Sequence, residues 1–166
     1  PDLREAAEPD AGRYASFNAF FTRALRADAR PQAAAPLAIV SPVDGQISAL
    51  GQVSAGRLLQ AKGRDFSLEA LLAGNRALAA QLREGLFMTI YLAPFNYHRI
   101  HMALAGTLVG ACYVPGRLFS VNDTSARLVP DLFARNERVI LEFEGARGRY
   151  ALVMVGALFV GSMSTV

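Results

Sequence analysis

Apolar side chains recur at helical spacing early in the chain. Phe17, Phe20, Phe21, Ala24 and Leu25 fall at i, i+3, i+4, i+7 and i+8, one face of a helix. Ser16 stands where an N-cap is wanted, because its hydroxyl can accept from first-turn amides. The spacing therefore predicts a helix over 16–27, with Arg23, Arg26 and Arg30 on or near it. Residues 1–15 are charged and Ala/Pro-rich, and 30–36 read as an Ala/Pro connector. From 37 onward the pattern turns to strands. Runs at 39–43 and 46–53 flank Asp44-Gly45, a turn dipeptide. Further strand-like runs lie at 86–92, 106–114, 138–143 and 149–160, punctuated by Gly85, Pro94, Gly116, Gly145 and Gly148. Ser67 can cap a helix through Leu68, Leu71 and Leu72, and helical spacing resumes over 77–82. The predicted fold class is α+β: N-terminal helices followed by a β-sheet-rich body. The expected division is a helical segment over 1–36 and a β-rich domain over 37–166, one domain overall.

Composition narrows the choices. At 52% hydrophobic and 19% charged, 166 residues suffice for one domain with a buried core and do not read as disordered. The net charge of +3 is mild and carried almost wholly by arginine, Lys62 being the only lysine. No nucleic-acid partner is expected from so weak a basic balance. Cys112 is the single cysteine, so no intrachain disulfide can form, and its apolar neighbours predict a buried, inert thiol. No signal peptide is visible at the start. The longest apolar run, 150–160, falls short of the roughly 20 residues of a membrane-spanning helix. Either a soluble protein or one lying on a membrane surface is expected. For the helix over 16–27 two readings stand: a face docked on its own core, or an interfacial helix. In the second, Phe17, Phe20 and Phe21 enter lipid and Arg23 meets the headgroups.

Chemistry centres on the two histidines, His98 and His101, three residues apart. A zinc site needs three or four protein ligands, and with no third histidine no metal is expected. The bland alternative is a pair hydrogen-bonded in a turn after Pro94. Asp44, taken alone, is a turn residue before glycine. Paired with a histidine, an aspartate can fix the imidazole's tautomer and stabilise its charged form.

Several segments, in order, resemble the phosphatidylserine decarboxylase family. They are Phe17-Asn18-Ala19-Phe20-Phe21-Thr22-Arg23, Ser41-Pro42-Val43-Asp44-Gly45, Gln60-Ala61-Lys62-Gly63 and Tyr97-His98-Arg99-Ile100-His101-Met102. Tyr113-Val114-Pro115-Gly116, Leu118-Phe119-Ser120-Val121-Asn122 and Leu132-Phe133-Ala134-Arg135-Asn136-Glu137-Arg138 follow, then Val155-Gly156-Ala157 with Val160-Gly161-Ser162. Each motif is modest alone; the ordered set, from about residue 17 to the end, is specific.

The resemblance implies a β-chain portion of a proenzyme that cuts itself before a serine in a Leu-Gly-Ser-Thr-like motif. That serine becomes a covalent pyruvoyl group on a small α-chain. The pyruvoyl forms a Schiff base with phosphatidylserine and serves as electron sink while carbon dioxide leaves, giving phosphatidylethanolamine. By resemblance, Asp44 and His101 match the aspartate and histidine that activate the serine. His98 matches a histidine acting beside the substrate. The implied partners are its own α-chain, phosphatidylserine and a membrane surface, met peripherally on the cytoplasmic face of a bacterial cell membrane; a homodimer also stays open. There are two departures. Asn96 stands where many relatives carry aspartate, and no Leu-Gly-Ser-Thr occurs, so the pyruvoyl serine is expected beyond Val166. Ser162 follows Gly161 but fits an upstream motif and reads as a strand-end residue. Two alternatives remain: a non-catalytic lipid-binding relative, and a lipoyl- or biotin-carrier-like module, for which Lys62 is the only modifiable candidate.

Overall fold

The structure, a computed structural model, describes residues 2–33, 35 and 38–165. Part of the expected connector, Ala34 and Pro36, lies outside them. The elements in chain order are α1 (Phe17–Phe21), β1 (Gln46–Gln52), β2 (Arg57–Ala61), β3 (Arg64–Ser67), α2 (Leu68–Leu71), α3 (Arg76–Leu82) and β4 (Leu86–Tyr91). They continue with β5 (Thr107–Val114), α4 (Asp123–Leu128), α5 (Leu132–Arg135), β6 (Arg138–Gly145) and β7 (Gly148–Val155). The fold is mixed α+β. Among the described residues, helix before the first strand amounts to one 3-10 turn, Ala11–Arg13, and α1; the other helices are interleaved with strands. The chain divides into two compact units, residues 1–46 with 90–105, and residues 47–89 with 106–166.

In the first unit, the cap expected of Ser16 is present: its Oγ accepts from Ala19 N at 3.1 Å. The helix, however, stops after Phe21 rather than running to 27. Residues 24–26 are drawn into extended pairing with the N-terminal segment. Ala7 N–H donates to Ala24 O and Arg26 N–H to Glu5 O, both at 2.9 Å, around an Ala6–Leu25 bridge. An amide bonded to Glu5 cannot also complete a helical turn, so tertiary pairing overrides the helical spacing. Ala6 is 1% exposed, which makes this seam part of the core. The strand expected at 39–43 does not form. Gly45 is required for a different reason from a hairpin turn: a Cβ there would lie 2.6 Å from the Tyr91 carbonyl oxygen.

In the second unit, β5, β6 and β7 make an antiparallel sheet with β6 central, and β2 and β3 form a hairpin. Leu132 is fully buried, and Phe66 meets Phe133 edge to face at 5.5 Å. Buried polar side chains organise the irregular segments. Gln60 donates to the carbonyls of Ala126 and Val129, both at 2.8 Å, and accepts from Leu132 N at 2.9 Å. Asn136, also fully buried, accepts from Phe119 N and donates to the carbonyls of Phe119 and Gly156. Arg138 is surrounded by the carbonyls of Ala70, Leu71, Ala134 and Asn136 at 2.7–3.0 Å. The motif residues around 60 and 132–138 thus hold backbone together. Cys112 corrects the expectation of a buried thiol: β5 is an edge strand, and Cys112 on it is exposed.

Candidate active site

The two histidines belong to the irregular stretch that follows β4. Asn96 shapes it: its Oδ1 accepts from Ala93 N at 2.7 Å, and its own N–H donates to Ala93 O at 2.9 Å. Asn96 here acts as a turn residue. The turn directs Tyr97 inward, where it is 7% exposed, leaves His98 half-buried, and leaves His101 exposed.

His98 Nδ1 lies 2.9 Å from the Asn96 carbonyl, and the ring packs on Phe21 with centroids 3.9 Å apart. Burial pushes the His98 pKa below the ordinary 6.5; the bond to Asn96 O opposes this, and the positive charge of Arg23 adds to it. The ring is therefore neutral at neutral pH. Because a carbonyl can only accept, its proton sits on Nδ1, and Nε2 is the basic nitrogen.

His101 Nε2 and the Tyr97 hydroxyl share a 2.8 Å hydrogen bond, with the rings stacked at 5.6 Å. Burial raises the Tyr97 pKa, so the phenol stays protonated and donates. In the neutral imidazole this leaves the proton on Nδ1, which has no hydrogen-bond partner among the described residues. The His101 backbone N–H donates to Pro42 O at 2.8 Å, fastening the histidine segment to the Ser-Pro-Val-Asp-Gly segment two residues from Asp44. Arg99 Nε adds a bond to Thr22 O at 2.8 Å.

Asp44, His98 and His101 thus gather in one unit. Among the described residues no hydrogen bond joins Asp44 to His101; the Asp44 carboxylate is held by Arg30 instead. Arg30 was invisible as a site residue because the local sequence there is a connector, and only the fold carries it to Asp44. Tyr97 lay inside a recognised motif, but nothing in the sequence tied its hydroxyl to His101.

The four membrane-contact candidates are placed differently from one another. Phe17 is 78% exposed. Phe20 packs edge-on against Tyr14, and Phe21 covers His98. Arg23 is only 5% exposed, its guanidinium lying 5.4 Å from the Phe20 ring centroid. Phe95, in the histidine loop, is exposed as well and carried no periodic signal. Among the described residues no helix is long and apolar enough to cross a membrane. Lys62 sits exposed in the turn between β2 and β3, a hairpin that pairs with no other strand among the described residues.

The phosphatidylserine decarboxylase family model matches residues 17–166. The chain is 56% identical over 165 residues to the phosphatidylserine decarboxylase proenzyme of Pseudomonas aeruginosa (strain LESB58), covering 99% of this chain and 57% of that protein. It is 56% identical over 165 residues to the proenzyme of Methylibium petroleiphilum, with 99% and 58% covered. For the proenzyme of Marinobacter nauticus the identity is 56% over 164 residues, with 99% and 57% covered. The chain spans less than two thirds of the length of these relatives. With a family model over nearly the whole chain and relatives at this identity, the chain belongs to the phosphatidylserine decarboxylase family.

Proposed function

We propose that the protein containing this chain decarboxylates phosphatidylserine to phosphatidylethanolamine, and that this chain supplies the acid–base residues. What carries the proposal is that one unit of a family member holds Asp44 and two histidines whose ring nitrogens have different partners, the Asn96 carbonyl for His98 and the Tyr97 hydroxyl for His101. A serine-derived pyruvoyl group, made by self-cleavage in a segment outside these residues, is the cofactor. When bound, it supplies an electron sink for the carbon–carbon bond that breaks as carbon dioxide leaves.

The residues present fit such a group: a half-buried imidazole held neutral at working pH, and a second imidazole whose Nδ1 has no hydrogen-bond partner among the described residues. His101 takes the proton of the serine hydroxyl as that oxygen attacks the preceding carbonyl. Nε2, now bonded to Tyr97, is the nitrogen for that proton, and Nδ1–H is left for the carboxylate of Asp44. Asp44 stabilises the imidazolium so formed. His98 has a separate task. Its Nε2 takes a proton from the substrate's ammonium, which frees the amine as nucleophile, and later returns that proton to the carbon that has lost carbon dioxide. The working protein pairs with its own α-chain and lies peripherally on the cytoplasmic membrane face.

The test is to express the proenzyme, this chain with the C-terminal part its relatives carry, and follow chain splitting and carbon dioxide release. Asp44→Ala and His101→Ala are expected to stay uncut. His98→Ala is expected to cut but lose decarboxylation by about 100-fold or more, the usual contribution of a general acid–base residue. Normal splitting of the first two would remove the self-cleavage roles, and an active His98→Ala would remove the third.

A further inference from the structure

The Asp44 carboxylate has an elaborate partner that the mechanism above does not use. Arg30 Nε donates to both Asp44 oxygens at 3.0 Å, and its NH2 donates to Oδ2. The same NH2 group reaches Glu5 Oε2 at 2.8 Å, and NH1 reaches the Ala29 carbonyl at 2.6 Å. All three guanidinium nitrogens are engaged. Glu5 is itself held, because its backbone carbonyl accepts from Arg26 in the seam with residues 24–26. Arg30 keeps the Glu5 carboxyl below its usual pKa, and the paired carboxylates raise that of Arg30.

Stability is a poor explanation for this arrangement. The side chains of Arg30 and Asp44 are 44% and 31% exposed, and ion pairs so open to water contribute little. Geometry explains it better. A planar fork gripping a carboxylate edge fixes the carboxylate's plane, which a point charge on a flexible stem cannot do. The grip is also uneven. Oδ2 takes donors from both Nε and NH2, whereas among the described residues Oδ1 takes only Nε. A carboxylate has about four acceptor sites, so Oδ1 keeps room for one more N–H.

We propose that Arg30 is a positioning residue for self-cleavage: it holds the Asp44 carboxylate in a fixed plane with Oδ1 presented to the Nδ1–H of His101. This rests on the role given to Asp44 above. A guanidinium stays protonated throughout the working pH range, so all of its donors stay available to the carboxylate.

The experiment follows the rate of chain splitting in the full proenzyme, with circular dichroism to confirm folding. Arg30→Ala is expected to slow splitting about tenfold, as loss of a charge-assisted hydrogen bond does. Arg30→Lys should recover part of the rate, having the charge without the fork. Guanidinium at sub-denaturing concentration should accelerate Arg30→Ala and leave Asp44→Ala uncut. Wild-type splitting in Arg30→Ala would overturn the proposal. So would slow splitting that neither lysine nor guanidinium relieves, since that marks a structural role. If Asp44→Ala itself splits normally, the fault lies with the Asp44 assignment; if it stays uncut while Arg30→Ala splits normally, only the positioning role falls.

Discussion

The Phe21 ring over His98 sets when that imidazole carries charge. Half-buried against an aromatic face, the ring loses hydration that the charged form needs, and its pKa falls below 6.5. In the window between the folded pKa and 6.5, the unfolded chain binds more protons than the folded one. The stability this group contributes is therefore full above about pH 6.5 and is lost as pH falls through the folded value. Phe21→Ala is expected to rehydrate the ring and move its pKa back up. The acid limb of the decarboxylation pH–rate profile should then shift to higher pH, with splitting of the proenzyme retained. An unmoved limb would mean that His98 does not set it. Phe21, Arg23 and Thr22 all lie in one sequence motif, yet the first covers a histidine, the second is buried and the third offers its carbonyl to Arg99. Residue type and spacing mark this stretch as special without separating those duties, because the Phe21 and Thr22 contacts are with residues 77 positions away.

At the scale of elements, α1 shows how local and tertiary preferences compete. Five residues are too few to be stable through helix propensity alone, and its persistence depends on the Ser16 cap and on aromatic packing. The helical spacing continues to Leu25, but the N-terminal segment takes the backbone there for itself. The consequence for a membrane surface is specific. Phe20 and Phe21 are committed to Tyr14 and His98, so on the proposed peripheral reading Phe17, 78% exposed, is the aromatic of this helix that would enter lipid. Phe17→Glu is expected to weaken flotation with anionic vesicles several-fold while leaving chain splitting intact. Undiminished flotation would shift the contact elsewhere in the protein. The β2–β3 hairpin is a counterpart case: its turn sits at Lys62-Gly63, where Gly63 has φ +77°. The glycine signals the turn, but the sequence pattern predicts no strand over Arg57–Ala61 or Arg64–Ser67.

At the scale of the whole molecule, the second unit is built around groups that a hydrophobic pattern does not display. Leu132→Ala should cost about 2–5 kcal/mol, the range for emptying a fully buried aliphatic site. Asn136→Leu, close in volume, should be just as harmful. It strands the Phe119 amide and the carbonyls of Phe119 and Gly156, at about 1–3 kcal/mol for each buried group left unpaired. Denaturant midpoints, with slopes unchanged, would measure both. A near-neutral Asn136→Leu would mean that those backbone groups find other partners.

What the sequence by itself determined is substantial: the α+β class, the existence of most strands, the Ser16 and Ser67 caps, the family, and which side chains are chemically able to act. These rest on periodicity, side-chain chemistry and ordered motifs, all written along the chain. The tertiary structure decided where α1 ends, why Gly45 must be glycine, which of four candidate membrane contacts faces outward, that Cys112 is exposed, and that Asp44 is held by Arg30. Each of these depends on a partner distant in sequence. A backbone amide, a carboxylate or a ring can satisfy itself with any group of the right chemistry, and only the folded chain fixes which one it meets.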